Sequence, residues 1–456
     1  MNRRFRLITL GCSKNIADSQ RIVSLLEIHG FRHVSEWGPK PDFVIVNSCA
    51  FTLEARRATE TTISQIVSQE HHLSSEKIIL VGCYANYKYR QKWIGSASNG
   101  GVDAIVQFDH YKELPYICES LLGEKKRVEK HDTSIEAGSY QQFLEIIPII
   151  PASSQYSAIL KISEGCSLKC SFCSIPGFRG PQRSRFIESI VAEARSMVEQ
   201  GAVELNLVAQ ETASYGLDIY GSPHLVELLE SLLTNTNASW IRVSYCYPTF
   251  VSDSLIDLFA SEPRLMPYFD IPLQHINDHI LCSMNRGYRR KAIELLLEKI
   301  FNNVPQAQVI TSFIAGFPGE TNEAFKELLA FIGQGWFRYV NVFPFSPEPG
   351  TPSYMLKNQL DEDIKSERVR DLRKTQHIVF NDLSKTLIGQ KIDVLVCGPN
   401  TDFRTLNKYP YRARTIWDAP EDSHICLKHH HQLNLGEIIP ARVISSEGYV
   451  LYGEGI

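Results

Sequence analysis

A chain of 456 residues is too long for one ordinary core, so two or three domains are expected. Hydrophobic residues make up 43% and charged residues 21%, a balance that excludes a disordered or fibrous protein. The formal net charge of −4 gives no electrostatic case for wrapping nucleic-acid phosphates.

Residues 6–10, 42–47, 77–81 and 102–106 are short β-branched or apolar runs with amphipathic segments between them. In 18–29, for instance, Ile22, Leu25, Leu26 and His29 recur at helical spacing. Arg3, Arg4 and Arg6 precede an apolar run, but 7–10 is too short for the core of a signal peptide. The alternation predicts an α/β fold over residues 1–122, built on a doubly wound parallel sheet. Cys12, Cys49 and Cys83 each stand just past a predicted strand. In such sheets the strands' carboxyl ends share one rim, where ligands bind, so three cysteines distant in sequence would converge.

Residues 123–155 read as a linker, from the charged run 124–132 through Thr133, Ser134, Gly138 and Ser139 to Pro148, Pro151, Ser153 and Ser154. Apolar stretches such as 146–151 fall far short of the roughly 20 residues a spanning helix needs, so no membrane and a cytoplasmic location are expected. Eleven cysteines in that compartment point away from disulfides and toward metal ligation or redox chemistry.

Over 156–385, six candidate strands at 158–163, 203–209, 240–246, 268–273, 308–315 and 338–345 are mostly separated by helical patterns such as 189–200 and 292–300. Six units are fewer than the eight of a closed barrel, which predicts a partial (β/α)6 barrel with chemistry at the carboxyl ends of its strands. A charged helical segment, 361–385, follows. Over 386–456, alternating runs at 391–397, 412–417 and 441–445, broken by Gly, Pro and Asn, predict a small antiparallel β-barrel.

Cys166, Cys170 and Cys173 form C-x3-C-x2-C directly after the first barrel strand. Three thiolates this close can each hold one iron of a four-iron cluster and leave the fourth iron open. An open iron can chelate S-adenosylmethionine (SAM) and pass it an electron, giving a deoxyadenosyl radical. A closed structural zinc site wants four ligands, and no fourth Cys or His lies in the loop. Cys12, Cys49 and Cys83 form a second triad; any one alone reads as a buried core thiol, but three at one rim, two directly after glycine, read as a second cluster. Cys118 reads as core, Cys246, Cys282, Cys397 and Cys426 have no partners at ligand spacing, and His429, His430 and His431 read as a solvated loop.

The C-x3-C-x2-C loop, with Phe172 before its last cysteine, resembles the shared motif of the radical-SAM superfamily, in which that aromatic lies near the adenine. Gly316, Phe317, Pro318, Gly319 and Glu320 look like a superfamily loop near bound SAM, although an ordinary glycine turn explains them equally well. The three parts together resemble the methylthiotransferases across essentially the whole chain. The resemblance implies two four-iron four-sulfur clusters and SAM, with Cys12, Cys49 and Cys83 on the cluster that handles sulfur and a TRAM-like terminal barrel.

Two branches of that family compete, one modifying adenosine in tRNA and one an aspartate on small-subunit ribosomal protein S-twelve. Segments similar to the second are Gly11–Asn15 around Cys12, Arg179-Gly180-Pro181-Gln182-Arg183-Ser184-Arg185, Tyr215-Gly216-Leu217-Asp218, Asp270-Ile271-Pro272-Leu273-Gln274-His275 and Trp417-Asp418-Ala419-Pro420-Glu421. The tRNA branch would carry Met at Lys14 and Gln-Ser-Gly at Gln274-His275-Ile276. Ser48 and Gln20 depart mildly from the ribosomal-protein pattern. Residues 386–456 hold seven Lys/Arg against eight Asp/Glu, a balance of −1 that suits a basic protein partner better than tRNA. Arg179, Arg183 and Arg185 would hold an aspartate or SAM carboxylate, stand as solvated loop residues, or pair with barrel acids. Gln210 and Glu211 stand where SAM's amino group could be held, or they cap the strand end. The expected partners are a ribosomal protein substrate and an external electron donor, and the chain itself is expected to be a monomer; a non-catalytic iron–sulfur carrier is the reading from another class. No proton donor is identifiable from the sequence.

Overall fold

Runs such as Phe43-Val44-Ile45-Val46 and Ile78-Ile79-Leu80-Val81, apolar at every position, suit strands covered on both faces. In the computed structural model they are the central strands of a parallel sheet. The structure describes residues 3–70, 76–87, 101–123, 139–146, 156–420, 422 and 424–456. Two compact units interleave along the chain: Met1–Pro151 with Lys161–Leu168 and Cys173–Glu193, and Ala152–Leu160 with Lys169–Phe172 and Ala194–Ile456.

In the first unit, β1 (Arg4–Thr9), β2 (Arg32–His33), β3 (Phe43–Ser48), β4 (Lys77–Gly82) and β5 (Ala104–Ile105) line up as β2-β1-β3-β4-β5, every pairing parallel. Helices Ser13–Ile28, Leu53–Glu70 and Leu114–Leu121 connect or follow them. Part of the expected linker is a helix, Ser139–Ile146, whose Tyr140, Phe143 and Leu144 are buried in this unit's core with Phe108 and Tyr111. Residues 124–138 and 147–155 of that expected linker lie outside the described residues.

In the second unit, β6 (Ser157–Lys161) leads into a barrel sheet. The stretches after it that belong to the first unit hold β7 (Ser163–Glu164) and β8 (Arg183–Ser184), a short antiparallel pair. Next come β9 (Glu204–Val208), β10 (Trp240–Val243), β11 (Tyr268–Asp270), β12 (Gln308–Ala315) and β13 (Phe337–Pro344). They form two three-stranded sheets, β10-β9-β6 and β11-β12-β13, joined by a parallel bridge between Ile241 and Leu265. Six strands thus stand in chain order, as a partial barrel requires.

Helix Glu362–Thr386 packs against β13, where Gln376 Nε2 donates to the Arg338 carbonyl at 2.8 Å. Beyond it, β14 (Lys391–Pro399), β15 (Tyr411–Thr415), β16 (Ile425–Lys428), β17 (Ile438–Glu447) and β18 (Val450–Gly455) close a barrel in the order β14-β15-β16-β18-β17. It is not antiparallel throughout: β16 and β18 run parallel. Five strands closed in a ring cannot alternate direction everywhere, so one parallel pair is a necessity of the odd count.

Buried ion pairs join this small barrel to the larger one. Glu204 of β9 accepts from Arg242 Nε at 3.3 Å and from Arg414 Nη2 at 2.5 Å. Asp418 accepts from Tyr339 Oη at 2.8 Å and from Arg338 at 3.4 Å. The segment starting at Trp417 therefore owes its residue types to packing within this unit; its Glu421 lies outside the described residues. Among the described residues, no helix is long and apolar enough to cross a membrane.

Candidate functional site

A sheet ordered β2-β1-β3-β4-β5 has its switch point between β1 and β3, and the crevice outside the strands' carboxyl ends there is where such folds bind ligands. Cys12 follows β1, Cys49 follows β3, and Cys83 follows the neighbouring β4. Their loops are in contact. Gly11, at φ +94°, lies so close to Cys49 that a Cβ there would stand 3.0 Å from the Cys49 Sγ. At Gly82, φ +86°, a Cβ would strike the Asn47 Oδ1 and the Ser48 backbone. Both positions need glycine for conformation and for room.

Side chains from β3 and from the flanking helices and turns fix these loops. Asn15 Nδ2 donates to the Leu10 carbonyl (2.7 Å) and the Ser48 carbonyl (3.0 Å), tying the Cys12 and Cys49 loops together. Asn47 Nδ2 donates to the Asn15 carbonyl at 2.8 Å. Thr59 Oγ1 accepts from the Cys49 N–H (3.2 Å) and donates to the Cys49 carbonyl (2.9 Å). The Gly82 N–H donates to Tyr111 Oη at 2.7 Å.

The three thiols differ in acidity. Burial pushes Cys12 up, but the charges of Lys14 and Arg179 and the N–H groups of Asn15 and Lys14 outweigh it, so its thiol is held below the usual range. Cys12 also caps helix Ser13–Ile28, whose N-terminus favours a thiolate. Burial raises Cys49, and raises Cys83 to about 12 despite Arg179.

Behind Cys83 lies a buried polar network that the sequence did not disclose. Arg179 donates from Nε and Nη2 to the Cys83 Sγ at 3.2 and 3.1 Å, and from Nη2 to Asn15 Oδ1 at 2.6 Å. Its Nη1 meets both Glu164 oxygens at 2.8 Å and Asp18 Oδ2 at 3.4 Å. Lys161 Nζ pairs with Asp18 at 2.6 Å and also with Glu164, and Tyr140 Oη donates to Asp18 at 2.6 Å. Of the three roles open to the arginine cluster, pairing with barrel acids describes Arg179 with Glu164 and Arg185 with Glu193 at 2.6 Å, while Asp18, the other partner of Arg179, comes from helix Ser13–Ile28 instead. Arg183 donates to the Arg179 carbonyl at 3.2 Å. A signal did exist: Lys161 is a charge inside the apolar run Ala158-Ile159-Leu160-Lys161-Ile162.

In the C-x3-C-x2-C loop, the Cys166 N–H donates to the Gly180 carbonyl at 3.1 Å within the first unit. In the second unit, Arg286 Nη1 donates to the Cys170 Sγ at 3.3 Å, and Ser171 is held by the Ser283 carbonyl at 2.7 Å. Glu320, at the end of the Gly316–Gly319 loop, accepts from the Gly316 N–H at 2.6 Å and from Arg368 Nη1 at 2.8 Å, 3.9 Å from His275 Nε2. Burial lowers His275 to about 3. Glu211 accepts from the N–H groups of Ala213, Ser214 and Tyr247 at 2.8–3.0 Å, which is the strand-end capping arrangement. Tyr245 and Gln274, in the loops after β10 and β11, hold φ of +63° and +71° without being glycine, and such strain collects at functional sites.

Among the other cysteines, Cys118 is fully buried in the first core and Cys282 is exposed. Among the described residues no three His, Cys, Asp or Glu converge on a position for a single metal ion. The donor set suits a cluster in which each thiolate takes its own iron: soft sulfur ligands, a glycine flanking Cys12 and Cys83, and N–H donors on Cys83 and Cys170.

Residues 160–332 match the model of the Radical SAM superfamily, and residues 4–104 match an uncharacterized protein family, UPF0004. In fold the chain is similar to the radical S-adenosylmethionine methyltransferase TsrM of Kitasatospora setae, with a TM-score of 0.57 at 15% identity over 77% of this chain and 74% of that one. The ribosomal protein uS12 methylthiotransferase RimO of Citrifermentans bemidjiense is 35% identical over 98% of this chain and 97% of its own. Those of Crocosphaera subtropica and Microcystis aeruginosa are 34% and 36% identical, covering 98% of this chain and 98% and 97% of their own lengths. With identity of this order along nearly all of both sequences, the chain belongs to the RimO family of radical-SAM methylthiotransferases.

Proposed function

We propose that this chain places a methylthio group on the β-carbon of an aspartate in ribosomal protein uS12, using SAM and two four-iron four-sulfur clusters. The observation that supports this reading is the interlocking, at one sheet edge, of the loops that carry Cys12, Cys49 and Cys83, in a family whose members are named for methylthio transfer. Cys166, Cys170 and Cys173 hold one cluster, and Cys12, Cys49 and Cys83 the other. When bound, the first would supply reductive cleavage of SAM and the second the sulfur for insertion. The chain's own part is to ligate and orient: Arg286 on Cys170, Arg179 on Cys83, and Glu320 holding the Gly316 loop.

The near-neutral terminal barrel supports a basic ribosomal protein rather than tRNA as the partner. A cytoplasmic monomer served by an external electron donor completes the proposal. Anaerobically reconstituted enzyme, given SAM, reductant and either uS12 or tRNA, tests it. One methylthio gain on the uS12 aspartyl peptide is expected, and a gain on tRNA alone overturns the choice. Cys170→Ala abolishes deoxyadenosine release, whereas Cys49→Ala spares it and stops sulfur insertion. Equal loss of both steps in both folded variants contradicts the two roles, and no deoxyadenosine release from the parent leaves a carrier instead.

A further inference from the structure

The guanidinium of Arg179 faces two ways. Its Nε–Nη2 edge, the fork that ordinarily grips a carboxylate, is spent on one sulfur, the Cys83 Sγ at 3.2 and 3.1 Å. Its Nη1 is taken by Glu164 and Asp18. A merely structural arginine in this place would need only the two carboxylates. The fork is also fixed in position: Asn15 Oδ1 accepts from Nη2 at 2.6 Å, and the Phe108 ring lies 4.7 Å from the guanidinium carbon. Asn15 is bonded to the carbonyls of Leu10 and Ser48, so Arg179 is registered to the loops of Cys12 and Cys49 as well as to Cys83. One residue on, the Gly180 carbonyl holds the Cys166 N–H at 3.1 Å. The helical turn Ile175–Arg179 and its following glycine thus touch a cysteine of each triad.

Hydrogen bonds to a ligand sulfur draw charge from the thiolate and favour the more negative, reduced state of a cluster. We infer that Arg179 is a positioning residue that sets the reduction potential of the Cys12–Cys49–Cys83 cluster through its two N–H bonds to the Cys83 sulfur. The inference rests on the reading that these three cysteines hold a cluster.

The test isolates that cluster in full-length protein carrying Cys166→Ala, Cys170→Ala and Cys173→Ala, followed by redox titration with electron paramagnetic resonance. Arg179→Ala alone would strand buried carboxylates, so the comparison variant is Arg179→Gln with Glu164→Gln, which removes one charge of each sign. A midpoint potential more negative than the parent's, at equal iron and sulfide content, is expected. An unchanged potential with full iron overturns the inference and leaves Arg179 a structural residue. If the double variant does not fold, the parent grown with 15N-labelled arginine decides: a 15N coupling to the reduced cluster is expected, and its absence overturns the inference. A parent protein that takes up no iron at all fails earlier, and that failure belongs to the cluster reading rather than to Arg179.

Discussion

Among the described residues, Arg179 and Arg286 each donate to the sulfur of a triad cysteine, and their surroundings are opposites. Around Arg179, two cations (with Lys161) meet two anions (Asp18 and Glu164), all at most 3% exposed, and the charges cancel locally. Around Arg286, the partners are Tyr288 Oη at 2.7 Å, the Pro272 carbonyl at 2.6 Å and the rings of Tyr247 and Tyr288 at 4.2 and 5.0 Å. Among the described residues no carboxylate pairs with Arg286. Aromatic faces stabilise a cation without neutralising it, so its charge acts on the Cys170 sulfur. The first arrangement makes geometry expensive to disturb; the second leaves a positive field at the C-x3-C-x2-C loop.

The largest way to break the contrast is to unbalance the first network. Lys161→Met leaves Asp18 and Glu164 sharing one cation in a fully buried site, so a loss of about 3–5 kcal/mol in urea denaturation is expected. Adding Asp18→Asn should recover part of it, and a loss under about 1 kcal/mol would mean the network does not hold the fold. A second buried cluster, one carboxylate facing two arginines, has a pH signature. Burial alone would raise Glu204, but Arg414 and Arg242 hold it at about 2, against an ordinary 4.5. A depressed carboxylate contributes its stability above the ordinary value and loses it as pH falls toward about 2. Roughly 3 kcal/mol should therefore disappear across that window. Glu204→Gln should be weaker by a similar amount at neutral pH and show a flatter acid limb in the same titration.

Local pattern and long-range pairing differed in how far the sequence exposed them. The six barrel strands were readable because buried parallel strands are near-continuous apolar runs; 308–315 matched β12 to the residue. β16 and β18 were missed: β16 abuts three histidines, and β18 carries Gly453 and Gly455, whose missing side chains make room for Ile425 and His429. Tyr140, Phe143 and Leu144 had helical spacing, but the charged run before them read as linker. The rim cysteines were legible because a position after a strand is a local fact. The contact of Arg179 with Cys83 was not, because its partners Asn15, Asp18, Cys83 and Glu164 come from three stretches of chain that only the tertiary fold brings together.

The unbalanced arginine is the next test. Arg286→Lys keeps the charge but loses the fork that spans Cys170, Tyr288 and Pro272. Deoxyadenosine release should fall roughly 10–100-fold, the usual cost of losing a partner to a metal ligand, with the Cys12–Cys49–Cys83 potential unmoved. A fall in that potential too would mean the two arginines are not independent. The smallest effect is the control within the motif itself. Arg183 stands four residues from Arg179, yet its guanidinium is 3.9 Å from Asp109 and both side chains are partly open to water. Such pairs contribute about 0–1 kcal/mol because solvent already satisfies both charges. Arg183→Ala should therefore shift the denaturation midpoint little and leave cluster content intact. A loss as large as that of Lys161→Met would show that burial, on which the contrast between these arginines is built, is not what separates them.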